Sequence, residues 1–230
     1  MERQKFMSLP FLDRADAGRQ VASRLLHYAD QPGVIVLALP RGGVPVGYEV
    51  AHALHLPLDA FLVRKLGVPG HEELAMGAIA SGGTTVLNDE VVESLHIPEQ
   101  TIREAIERER REIERREREY RDGRHASEIR GQTCILIDDG LATGASMLAA
   151  VSALRDKGAR RIVVAVPVAS PRTCMLFQGK VDEIVCAETP EHFQAVGEWY
   201  YDFSQTSDDE VRDLLALLDK ERTPDYASRR

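Results

Sequence analysis

The sequence predicts an α/β fold in which a parallel sheet is flanked by helices, and three observations carry that expectation. Short β-branched apolar runs alternate with segments of helical periodicity through most of the 230 residues; each parallel strand needs a crossover, usually a helix, before the next can pair with it. Residues 34–39, 133–137 and 161–168 are apolar almost throughout instead of alternating, as strands covered on both faces are. The first two of these runs each lead through a glycine-bearing turn into a helical pattern.

In chain order, residues 13–29 read as a helix. Residues 34–39 form a buried strand, closed by Pro40-Arg41-Gly42-Gly43 and followed by an amphipathic helix over 44–54. Residues 58–63 make a second strand, 67–73 a mobile loop, and 77–87 a weaker hairpin turning at Ser81-Gly82-Gly83. Over 99–123 the chain is nearly all Glu and Arg, with Ile102, Ile106, Ile113 and Tyr120 spaced by four and seven. That spacing predicts one long charged helix with a narrow buried stripe, supported by pairs such as Glu107 with Arg111. It is a solvated arm or a dimer contact, because a nucleic-acid-binding helix would not dilute its arginines with so many glutamates. The strand over 133–137, the helix over 144–157 and the strand over 161–168 make a βαβ unit. A strand over 181–186, an aromatic segment over 198–203 and an amphipathic helix over 208–218 follow. Residues 1–220 read as one domain and 221–230 as a flexible tail.

A formal charge of −8 offers no general attraction for nucleic acid, so phosphate must be held by a local arrangement of donors. Cys134, Cys174 and Cys186 are too few and too far apart for a zinc knuckle or a redox pair, and read as buried free thiols. The first ten residues hold no apolar stretch of signal-peptide length, and no later run reaches the ~18 apolar residues of a membrane span. The expected location is therefore the cytoplasm.

The chemistry concentrates at 135–146. A hydrophobic strand delivers Asp138 and Asp139 to its C-terminal end, and Gly140-Leu141-Ala142-Thr143-Gly144-Ala145-Ser146 then opens into a helix. Backbone N–H groups of 143–146 and the Thr143 and Ser146 hydroxyls can wrap a phosphate at the positive end of that helix. The two carboxylates can accept hydrogen bonds from vicinal ribose hydroxyls and stabilise a developing oxocarbenium ion. No lysine follows the last glycine, so the loop is not a Walker A.

The run Asp138-Asp139-Gly140-Leu141-Ala142-Thr143-Gly144-Ala145-Ser146 resembles the phosphoribosyl pyrophosphate motif of type I phosphoribosyltransferases across its full length. The resemblance implies that family's sheet with a small hood, here from terminal segments including 187–205. It also implies an acid pair on the ribose 2′ and 3′ hydroxyls, a loop on the 5′-phosphate, and Mg²⁺ held by the substrate oxygens with Asp138 or Asp139. Pro40-Arg41-Gly42-Gly43 is similar to the family's pyrophosphate loop, which places Arg41, Gly42 and Gly43 in the site; alone it would read as a strand-to-helix turn. Arg64-Lys65 looks like the basic pair that orotate-type members direct at pyrophosphate, Lys65 before Arg64, and reads equally as solvated strand-end charge.

The resemblance implies displacement of pyrophosphate from ribose C1 by a nitrogenous base, under a closing loop at 67–73. Ala142 stands where members acting on 6-oxopurines carry an aspartate, which counts against those bases. Glu72 or Glu73 could supply a general base, or be solvated loop charge; Trp199, Tyr200 and Tyr201 could stack on a flat ring, or be half-buried core. The subgroup sharing both motifs comprises bacterial proteins without an established acceptor, and the family usually forms homodimers. A protein that binds the sugar diphosphate only as a sensor is the alternative, although such a regulator should show a basic face that this acidic chain lacks.

Overall fold

The computed structural model describes residues 11–124 and 126–222. Its centre is a parallel five-stranded sheet in the order β2-β1-β6-β7-β8, built from Leu58–Ala60, Val34–Ala38, Thr133–Ile137, Arg161–Val168 and Glu183–Glu188. Strands β1 and β6 are buried at every residue, which is why their sequences run apolar without alternation. One face is covered by α1 (Arg14–Ser23) and α2 (Gly43–Leu54), which pack on each other, with α7 (Asp208–Arg222) beside α2. On the other face α5 (Ala145–Asp156) buries Met147, Val151 and Leu154.

Alongside this sheet lies a three-stranded antiparallel one, β3 (Val63–Val68), β4 (His71–Ala80) and β5 (Thr85–Leu87). It overturns two expectations. The strand expected over 58–63 stops at Ala60. Leu62 and Ser81 then bond reciprocally, Leu62 N to Ser81 Oγ at 2.9 Å and Ser81 N to the Leu62 carbonyl at 2.8 Å, turning the chain into the second sheet. The interval 67–73, expected as a mobile loop, is the irregular end of the β3–β4 hairpin, with register shifts around Gly67. A glycine at a β-bulge carries the same composition as one in a loop. The 77–87 hairpin forms as expected, pairing Gly77 with Leu87 and Ile79 with Thr85.

The charged helix is α4 (Glu99–Arg121), and it buries Ile102, Ile113 and Tyr120. Along it Arg115 donates to Glu112 and Glu119, and Arg116 to Glu112, holding the Glu112 carboxyl down at about 2. Three further differences are local. Residues 13–29 divide into α1 and a 3-10 turn, Leu26–Tyr28; short helices α3 (Asp89–Ser94) and α6 (Pro171–Leu176) were not anticipated; and β8 begins at Glu183. Asp182 Oδ2 accepts from Ile162 N at 2.8 Å, capping the approach to that strand.

Cys134 is a buried free thiol, pushed up to about 12 by burial. Cys174 and Cys186 are not free: α6 folds back beside β8 and the two are joined as a disulfide. No described helix is long and apolar enough to cross a membrane. The tail expected over 221–230 lies outside the described residues from 223 onward.

Candidate active site

Strands β1 and β6 run side by side, with Ala38 paired to Ile137, and the pairing continues one step as Leu39 N donates to the Ile137 carbonyl at 2.8 Å. Both therefore end at the same edge of the sheet, and the turns that leave them touch. A Cβ on Gly43 would meet the Ile137 carbonyl oxygen at 2.8 Å and Asp138 Cα at 2.9 Å; one on Gly42 would run into Asp139 Oδ2. Gly43 passes the backbone at the end of β6 too closely for a side chain, and at Gly42 that space is taken by the Asp139 carboxylate. Two motifs far apart in sequence thus meet in one candidate site, at the carboxyl ends of the strands where open α/β sheets bind ligands.

Asp139 is the best-connected group in it. Its Oδ2 accepts from Arg14 Nε at 3.0 Å and faces Arg14 Nη2 at 2.9 Å, its backbone N–H donates to Asp138 Oδ1 at 2.9 Å, and its carbonyl accepts from Tyr200 Oη at 2.5 Å. Burial raises the Asp138 carboxyl well above the ordinary range, and the charge of Asp139 raises it further. Asp139 is also raised by burial, with Arg14 pulling the other way. Burial lifts the Tyr200 hydroxyl, next to which the Asp139 charge acts in the same sense. A site that holds back negative charge favours a ligand bringing hydroxyl donors or a cation.

The loop after the acids is supported from beneath. Gly140 lies against Val196 and Val168, and Leu141 N donates to the Val168 carbonyl at 2.9 Å. Thr173 Oγ1, on α6, donates to the Ala142 carbonyl at 2.9 Å. Gly144 has φ 76°, a left-handed conformation that needs glycine, and an added Cβ there would lie 3.1 Å from the Phe177 ring. Ala142, Thr143, Ala145 and Ser146 are exposed, and the first intrahelical bond of α5 runs from Leu148 N to the Gly144 carbonyl. The N–H groups that precede this bond and the two hydroxyls are the groups that could hold an anion here, although Ala145 N also lies 3.4 Å from Thr143 Oγ1, to which it donates.

The basic residues separate. Arg41 leaves the glycine turn toward α7, where its Nη1 lies 3.8 Å from Asp208 Oδ2; the same carboxylate accepts from Tyr120 Oη. Arg64 and Lys65 are consecutive on β3 and so point to opposite faces. Arg64 bonds Glu109 of α4 through Nε at 2.9 Å. Lys65 lines a cavity of about 330 Å³ between the small sheet and α5, whose wall includes Ala145 and Ser146 of the loop. Lys65 shares this cavity with the loop, while Arg64 is engaged by Glu109. The side chains of Glu72 and Glu73 lie outside the described residues. Of the three aromatics, Tyr200 is 6% exposed and packed between Phe11 and Phe203, Trp199 is half-buried, and Tyr201 is 68% exposed. None lies on a regular strand. Arg14 was missed by sequence reasoning: it follows the helix cap Asp13 and belongs to no recognisable motif.

Among the described residues no three His, Cys, Asp or Glu side chains form a metal cluster. A divalent ion here would draw most of its ligands from substrate oxygens and water, as Mg²⁺ tolerates.

Residues 11–204 match the family model described as Phosphoribosyl transferase domain. Two curated relatives from Mycobacterium tuberculosis strains, each provisionally named a phosphoribosyl transferase, are 47% identical over 91% of this chain. The match spans 46% of their length, so this chain corresponds to about half of each. The crystal structure of TT1426 from Thermus thermophilus superposes with a TM-score of 0.80 at 39% identity, over 91% of this chain and 99% of that one.

Proposed function

This chain belongs to the phosphoribosyl transferase domain family, and from that premise we propose that it transfers the phosphoribosyl group of 5-phosphoribosyl-1-pyrophosphate to a nitrogenous acceptor. The observation that carries the reading is the meeting of the Gly42-Gly43 turn with Asp138-Asp139, beside the cradle of 143–146. A ribose bearing a 5′-phosphate at one end and a diphosphate at C1 needs those three kinds of contact together. In the proposed step a ring nitrogen bonds to C1 while the C1–O bond to diphosphate breaks and its electron pair leaves with pyrophosphate. The acceptor then loses its proton to water or to a nearby base.

The protein's own residues would bind and orient. Thr143, Gly144, Ala145 and Ser146 would take the 5′-phosphate, Gly42 and Gly43 would face the diphosphate with Arg41 turning to it from Asp208, and the carboxylates would hold the ribose hydroxyls and offset charge developing at C1. Lys65 would act from the cavity it shares with Ala145 and Ser146. Two adjacent carboxylates with no third protein ligand among the described residues fit Mg²⁺, which Asp138 and Asp139 would hold directly or through water. When bound, the ion would supply positive charge that eases departure of the diphosphate.

The test is pyrophosphate release from phosphoribosyl pyrophosphate and Mg²⁺ against a panel of purines, pyrimidines and other nitrogenous acceptors. The Asp138→Asn/Asp139→Asn protein serves as blank. Acceptor-dependent release by the unsubstituted chain alone supports a transferase. Tight ligand binding without release on any acceptor points to a sensor, and absence of binding refutes the site.

A further inference from the structure

Two separated segments converge on one oxygen, Asp139 Oδ2. Arg14, at the start of α1, brings both Nε (3.0 Å) and Nη2 (2.9 Å) to it. Gly42 passes so closely that a side chain there would strike this oxygen and approach Arg14 Nε to 3.1 Å. The guanidinium is also engaged on its far side: Nη1 donates to the Ser204 carbonyl at 2.7 Å, and its carbon lies 4.0 Å from the centre of the Phe203 ring. In the same segment Tyr200 Oη donates to the Asp139 carbonyl. The Arg14 side chain is 12% exposed, so it is built into the site.

Neutralising a carboxylate requires a single nearby cation, and lysine would serve. A planar fork that holds a carboxylate with one edge, a carbonyl with another and an aromatic ring with its face fixes directions as well as charge. We infer that Arg14 is a positioning residue: it sets the orientation of the Asp139 carboxylate and ties the 199–204 segment to it, so that the ribose-facing acid and the aromatic segment are placed as one unit. The inference rests on Asp139 being a sugar-binding group. Arg14 bonds the ribose-facing acid itself, and its loss should be felt in ribose recognition before diphosphate recognition.

Trp199, the only tryptophan of the chain, sits at the start of the tied segment and reports on it without any ligand. In the full-length Arg14→Ala protein with native circular dichroism, acrylamide quenching of Trp199 should rise about twofold. Its dissociation constant for ribose 5-phosphate should rise about tenfold, and that for pyrophosphate with Mg²⁺ should change less than about threefold. Arg14→Lys can keep one bond to Asp139 but cannot also span to Ser204. It should recover part of the ribose 5-phosphate affinity while quenching stays at the alanine level, and it decides the matter if Arg14→Ala does not fold. Unchanged quenching in a folded Arg14→Ala protein, equal losses for both ligands, or a lysine variant matching the unsubstituted chain in every readout would overturn the inference. If the unsubstituted chain binds no ribose 5-phosphate, the sugar-diphosphate reading fails, and the quenching series still judges the link to the 199–204 segment.

Discussion

Gly42→Ala sets two effects of known sign against each other. The backbone at Gly42 has φ −61° and ψ −29°, ordinary right-handed helical values, so alanine suits it. By restricting the unfolded chain it should add about 0.4–1 kcal/mol of stability. The new Cβ, however, would collide with Asp139 Oδ2 and lie 2.7 Å from Cγ and 3.1 Å from Arg14 Nε. The carboxylate must turn away and lose its charge-assisted bonds to a largely buried arginine, worth about 1.5–3 kcal/mol. The net expectation is a loss of about 1–2 kcal/mol, which for a chain of this size lowers the melting temperature by roughly 3–6 °C. Sugar-diphosphate binding should fall at least about tenfold, since one 1.4 kcal/mol contact is a factor of ten. Denaturant midpoints and calorimetric titration read both quantities. A Gly42→Ala protein that is more stable and binds the diphosphate unchanged would refute the close approach of the two turns.

Three other outcomes follow from the same geometry. Thr143→Ala should weaken ribose 5-phosphate by about 1–2 kcal/mol, the scale of one hydroxyl bond to a charged group, and pyrophosphate by less; calorimetry giving equal losses would contradict the cradle. Arg64→Ala should cost about 1 kcal/mol of stability, discounted for the arginine's partial exposure, because Glu109 loses a partner, while Lys65→Ala should lower sugar-diphosphate affinity more than Arg64→Ala does. The reverse pattern in unfolding and binding titrations would show that the two residues exchange roles. Asp138 and Asp139 are raised by burial, so above their unfolded values of about 4 the folded state keeps protons that the unfolded chain has released. Their contribution to stability therefore declines as pH rises through that window. Asp138→Asn should flatten the decline, and unfolding curves from pH 4 to 8 that stay parallel to those of the unsubstituted chain would exclude burial as the cause.

The sequence revealed the parallel sheet because burial on both faces leaves continuous apolar runs, and β1, β6 and β7 fell where those runs lie. It misplaced what depends on tertiary contacts. Residues 58–63 are apolar enough for one strand, yet Ser81 draws Leu62 into a second sheet, and a serine nineteen positions away leaves no trace in the local pattern. Gly67 reads as loop composition although it sits at an irregularity between paired strands. The pair Arg64-Lys65 reads as a unit in sequence, but strand alternation sends the two in opposite directions, one to Glu109 and one to the cavity beside Ser146. The thiols of Cys174 and Cys186 are joined only because α6 doubles back on β8.

The same contrast explains why the proposed phosphate site is legible here and an acceptor is not. An anion cradle is made of consecutive backbone N–H groups, so its residues must be contiguous and its glycines must fall where φ or a close approach demands them. The surroundings of Asp139 are assembled differently. Phe11 N donates to the Trp199 carbonyl at 2.7 Å, Tyr201 N to the Phe11 carbonyl at 2.8 Å and Asp202 N to that of Leu12 at 2.9 Å, so both ends of the matched region are stitched together beside the acid pair. Val196 closes over Gly140, and Arg14 bridges Asp139 to Phe203. Groups that would face an acceptor there come from stretches that meet only in space, and nothing in their spacing constrains which side chains they carry. Two chains could therefore share the Asp138–Ser146 run and differ in acceptor through 196–204 and the first turn of α1 alone.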